Sequence, residues 1–268
     1  MHKWIKPLLG FGCWLILVTL YWPESALQLD YVRLILIAAP LLIVPLCELM
    51  DGRSYWLPFA LGLAFSLGML YSPGWLGFIL VLPWWIFSAT RTVVSASKGA
   101  SRFLANKTEG GGLLNTAKLI ASPLFLLVAA SWAIADRLQW EPMGFDATIT
   151  LLTAVHFHYA GFTLSWLLTR ISTPGWTQWC ILSGVVLVAI GITSSQYDFP
   201  AWIEITSVTI LATAALRFGG SLFSRAGVFY KVGALALSGG MILALCYGWR
   251  YVYLFPELDI PAMYVLHG

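Results

Sequence analysis

Apolar runs broken by short polar or turn-forming stretches recur nine times along the chain, at 7–22, 31–49, 55–71, 74–94, 114–135, 147–168, 177–195, 199–216 and 232–254. Most approach the ~20 residues a helix needs to cross the hydrocarbon core. The third and eighth runs are short. The breaks carry turn chemistry: Trp22-Pro23-Glu24, Asp51-Gly52, Ser72-Pro73-Gly74, Thr173-Pro174-Gly175 and Phe218-Gly219-Gly220. This pattern predicts an all-α, polytopic transmembrane bundle of about nine helices, built as a single integral membrane domain over 1–268. The first run, behind Met1–Lys6, reads as a retained helix rather than a cleaved signal, because no small-residue cleavage site follows it.

Composition supports the same reading. Hydrophobic residues make up 59% of the 268 and charged residues only 10%, far below the ~25% that covers a soluble domain. The chain carries 14 Trp and 11 Tyr, rings that favour the headgroup level. A net charge of +3 supplies no basic field for nucleic acid. The four cysteines, Cys13, Cys47, Cys180 and Cys246, sit inside apolar runs without C-x-x-C spacing, as buried thiols do.

Charge also sets an orientation. With the N-terminus in the cytoplasm, twelve of the fifteen Lys and Arg fall on that side; Arg33, Arg137 and Arg250 fall on the other. Such a bias is the positive-inside signature, and nine spans put the C-terminus outside. The longest connection, 95–113, reads as a basic flexible loop suited to anionic lipid headgroups. Its triple glycine lacks P-loop spacing.

Ionisable groups at membrane depth are costly and mark candidate sites. In the sixth run, Thr153, His156, Tyr159 and Thr163 follow three-to-four spacing and share one face of a regular helix, which Arg170 continues. That stripe is expected to face other helices or water. His158, two residues from His156, points about 200° away. The pair is therefore a poor chelate on a regular helix, where metal-binding histidines stand at i,i+4; a metal held by His156 and His158 needs the helix broken there. His156 is the candidate acid or base. His158 is a second contact, either to substrate or to a neighbouring helix. For a carboxylate partner, Glu204 lies close to His156 in depth, and Glu48 lies roughly 15 Å deeper by helix rise. Pro40 and Pro45 would have to bend the second helix to bring Glu48 near. A second polar group, Glu48, Asp51, Arg53, Arg91, Asn115, Lys118 and Arg170, gathers at the cytoplasmic ends.

The stretch "AVHFHYAGF" at 154–162 resembles the YndJ-like proteins of bacterial membranes. The resemblance implies an integral protein of the cytoplasmic membrane, marks His156, His158 and Tyr159 as the site, and leaves the reaction open; some similar proteins carry the label transporter.

Three functions fit. The first is an intramembrane enzyme using acid–base chemistry on a lipid-like or isoprenoid molecule, by isomerisation, cyclisation or hydrolysis. Here His156 works with Glu204 or Glu48, and Tyr159 donates to developing negative charge. Thr153, Thr163, His158, Asp51, Arg91 and Arg170 would line the substrate. The second is a transporter or proton-coupled permease. The third is a non-catalytic assembly partner. Membrane lipids and a hydrophobic small molecule are the expected partners. No cofactor is required beyond the metal alternative, and the sequence leaves the oligomeric state open. A closed apolar chamber open to lipid favours the enzyme; a polar path across the membrane favours transport.

Overall fold

The computed structural model describes residues 5–22, 29–105 and 112–252. Among them every element is helical. The helices are α1 (Ile5–Leu20), α2 (Leu29–Met50), α3 (Trp56–Leu70), α4 (Trp75–Ala105), α5 (Gly112–Arg137), α6 (147–168), α7 (Gly175–Gln196), α8 (Trp202–Phe223) and α9 (Val228–Gly248). They coincide one for one with the nine apolar runs. Six of them (α2, α4, α5, α7, α8 and α9) are long and apolar enough to cross a membrane by length and composition. That is fewer than nine, because α1 and α3 are short apolar helices and α6 is diluted by its histidines and threonines.

Two expected breaks are not breaks. Helix α4 continues through 95–105, part of the expected basic loop, to a length of 31 residues; residues 106–111 of that loop lie outside the described residues. Gly219 and Gly220 lie within α8. A Cβ on Gly219 would stand 2.7 Å from Ser238 Oγ, so this glycine lets α9 pack close, and the turn falls instead at Gly227, with φ of +113°. Gly219 is thus a packing residue rather than a turn residue, while Gly220 faces open space. The Pro23-Glu24 break and the end of the last run lie outside the described residues.

The chain forms two compact units, Met1–Trp166 and Leu167–Gly268. In the first, α4 packs along α5, α3 against α4, and α6 against α5 and α2. Close backbone approach fixes the α2–α3 crossing: a Cβ on Gly62 would meet Pro40 O at 2.3 Å. Helix α1 docks through Trp14 Nε1, which donates to Leu34 O at 2.9 Å, and through Tyr55, whose hydroxyl donates to Lys6 O at 2.6 Å. In the second unit, α8 packs between α7 and α9. Gly184 and Gly191 of α7 seat directly against Leu211 and Glu204 of α8.

Candidate functional site

Two helices of the first unit are interrupted at mid-length by π-turns. In α2 the turn covers Ala39–Ile43, and in α6 it covers Phe157–Thr163. Single π-turns inside α-helices need a local cause and concentrate at functional sites. Pro40 is the cause in α2, because it removes a backbone donor. In α6 the side chains compensate: Thr163 Oγ1 donates to His158 O at 3.0 Å, and His158 Nδ1 lies 2.8 Å from Ala154 O. Gly161 lets the turn press on α5, since a Cβ there would stand 2.8 Å from Phe125 Cβ. The two turns adjoin: Tyr159 of α6 donates its hydroxyl to Ile35 O of α2 at 2.8 Å.

The H-x-H pair divides at this turn. His158 is fully buried, at 0% exposure. Its Nε2 faces the indole N–H of Trp84 on α4 at 3.3 Å. An indole N–H only donates, so Nε2 accepts, and Nδ1 carries the proton given to Ala154 O. Phe65 of α3 meets the ring edge-on at 5.8 Å between centroids. His156 is exposed, with Nδ1 at 3.2 Å from Leu152 O. The expected stripe is thus altered. Thr153, Tyr159 and Thr163 are half-buried, and of the two histidines the deeply buried one is His158 rather than His156.

Glu48 is buried, and its Oε1 lies 2.7 Å from Arg91 Nη2 and 3.1 Å from Arg53 Nη1. Arg53 also reaches Asp51 Oδ2 at 3.0 Å, and Trp166 Nε1 donates to Asp51 Oδ1 at 3.2 Å. Two carboxylates and two guanidiniums therefore tie the end of α2, the α2–α3 turn, α4 and α6 into one neutral network. A sharp turn places Arg53: its N–H donates to Glu48 O at 2.8 Å, and Gly52 takes φ of +74°. Of the other residues expected at this level, Asn115 is exposed and Lys118 half-buried. Arg170 lies beyond the end of α6, exposed in the second unit, and so off the helical face assigned to it: the helix stops at Leu168 before Pro174.

A second ion cluster stands at the opposite end of the unit. Arg137, fully buried, pairs with Asp136 and donates to the carbonyls of Gly68, Met69 and Tyr71 at 3.2, 3.0 and 2.6 Å. It supplies donors to the unsatisfied carbonyls that end α3. Arg33 reaches Asp30 at 2.6 Å and Asp136 at 3.8 Å. Glu204 belongs to the second unit, where it accepts from Ser195 at 2.6 Å and pairs with Arg250 at 2.8 Å. Arg250 in turn stacks on Tyr247. Among the described residues, no group of three or more His, Cys, Asp or Glu could hold a metal ion.

Trp84 and Trp166 were not foreseen from the sequence, and Arg137 and Arg250 entered only in the charge count. For Trp84 a signal existed. Trp84, Ser88, Arg91 and Ser95 repeat at three-to-four spacing along α4, and Trp84, Ser88 and Ser95 are buried.

The profile of the family described as YndJ-like protein matches residues 34–268. The chain is also 26% identical over 201 residues to the "Uncharacterized membrane protein YndJ" of Bacillus subtilis. That match covers 72% of this chain and 35% of the relative, so the chain spans about a third of the relative's length. No solved structure matches.

Proposed function

The chain belongs to the YndJ-like family of integral membrane proteins, and from that premise we propose that it is a carrier for a small molecule. Its first unit surrounds the path, and the Glu48–Arg91–Arg53–Asp51 network closes one end of it. The observation that carries this reading is the stacking of two features in one unit: paired interruptions of α2 and α6 at mid-length, and an ion network tying the same two helices to α4 at one end. Interrupted helices are tolerated in a bilayer where they are buried in protein or line a cavity, and carriers place their sites at such interruptions. A neutral network of exchangeable ion pairs is a closure that can open without stranding a charge, because each group regains water at the membrane surface.

The enzyme reading keeps one supporting observation. His156, exposed beside the π-turn on an apolar helix, is a histidine that a lipid-like molecule can reach sideways. His156→Ala abolishes activity if acid–base conversion is the function and leaves a closure at Glu48 untouched.

A carrier requires the closure to open. Cys47, buried beside Glu48, reports on it in a protein whose other cysteines are replaced by serine. With Arg91→Ala, Cys47 is expected to react with a membrane-impermeant thiol reagent at least about tenfold faster, as loss of one buried pairing worth ~1.4 kcal/mol implies. An unchanged rate in a folded variant contradicts the closure.

A further inference from the structure

We propose that Nε2 of His158 is the proton-binding site of this carrier, and that a proton arriving there displaces Trp84 and loosens the Glu48–Arg91 closure. The inference rests on the carrier reading and adds the coupling ion to it. In the structure both ring nitrogens are committed: Nδ1–H donates to Ala154 O at 2.8 Å and Nε2 accepts from Trp84 at 3.3 Å. A proton added at Nε2 turns that acceptor into a donor facing another donor. The hydrogen bond is lost, and Trp84, stacked on the imidazole at 21° between planes, has to move. Nothing else is consumed: a solvent proton becomes an N–H, and Nδ1–H stays in place.

Trp84 is joined to the closure along α4. Ser88 Oγ donates to Trp84 O at 2.9 Å, and Trp84, Ser88 and Arg91 follow one another at i, i+4 and i+7, on one helical face. Arg91 then holds Glu48 at 2.7 Å. A shift of Trp84 therefore acts on the helix that carries the guanidinium of the closure. By helix rise, the seven residues from Trp84 to Arg91 span about 10 Å.

Among the described residues, no charged side chain bonds to the His158 ring. Helix α3 presents Phe65, and α4 presents Trp84. Tyr159 of α6 is tied to Ile35 O of α2, and the charges of α2 stand at its ends, Asp30 and Arg33 at one and Glu48 at the other. On α5 the charges are Lys118, Asp136 and Arg137, again toward the ends. On α6 itself His156 is exposed. The ring is thus the titratable group at the junction of α3, α4 and α6.

The Cys47 reporter tests this. Thiol reactivity has its own pH dependence, so labelling is expressed as the ratio to Arg91→Ala at the same pH, in the purified full chain. The expected result is a ratio that rises as pH falls, by up to about tenfold per pH unit above the midpoint, and levels off below it, as linkage to one proton requires. His158→Gln, which still offers an oxygen to Trp84 but does not titrate, abolishes the rise. Trp84→Phe, which removes the donor that favours neutral His158, moves the midpoint up by roughly one pH unit. A rise that persists in His158→Gln overturns the proton site and leaves the closure standing, as does a midpoint unmoved in Trp84→Phe. If Arg91→Ala itself does not expose Cys47, the closure falls and the proton site falls with it.

Discussion

Arg137 shows how a buried charge can be structural. Its guanidinium pairs with Asp136 and spreads the remaining donors over three carbonyls at the end of α3. Removing one partner of a buried pair leaves an uncompensated charge, which costs about 3–5 kcal/mol. Arg137→Leu is therefore expected to lower thermal stability in detergent markedly. Arg137→Lys should recover only part of the loss, because an ammonium cannot reproduce the planar fork. Equal stability of Arg137→Lys and wild type would contradict this role. The residue scale also shows what the sequence leaves hidden. His158 and His156 were legible as exceptional, but their environments were not. A regular helix was assumed across 157–163, whereas the hydroxyl of Thr163 and the imidazole of His158 support a π-turn there. The partners that decide each ring's role lie 74 residues away at Trp84 and 124 away at Ile35, counted from His158 and Tyr159.

At the scale of elements, glycine–backbone contacts set where helices cross. Gly62 admits Pro40 O to a distance that no side chain tolerates, and the interruption of α2 begins beside that proline. Gly62→Ala must separate α2 from α3, and overpacking of this kind costs about 1–3 kcal/mol. Gly12→Ala, at a helical position with nothing within 4 Å, should be neutral or stabilise by up to about 1 kcal/mol through helix propensity. Thermal denaturation of the two variants separates the cases, and similar melting temperatures would contradict the assignment of Gly62 as a crossing point. The nine helical segments were readable because apolar length alone signals a helix in a bilayer. Their boundaries failed where one residue type serves two purposes. Gly219-Gly220 reads as a turn, yet both lie inside α8 and Gly219 packs against α9. The basic stretch at 95–105 reads as a loop yet extends α4.

The whole molecule is an integral membrane protein of the YndJ-like family, with polar chemistry concentrated in its first unit. About fifteen residues of α2 separate Arg33 from Glu48, roughly 22 Å of helix, so the two ion clusters stand near opposite ends of that helix. The positive-inside rule predicts that the Glu48 end faces the cytoplasm. A cysteine placed at Lys98 is accordingly expected to react with an impermeant reagent only from the cytoplasmic side of sealed vesicles, and labelling from the outside would reverse the orientation. The membrane character was legible from the apolar runs. The ion networks were not, because depth along separate helices does not say which helices touch. The central claim, that the protein moves a small molecule without converting it, is tested most directly by comparing whole-cell, medium and lipid extracts from cells with and without the gene. The account predicts an unmodified compound whose partition between cell and medium changes, restored by the wild-type gene and not by Glu48→Gln. Accumulation of a chemically distinct precursor in the lipid extract, reversed by Glu48→Gln but not by His156→Ala, would contradict it and establish the enzyme.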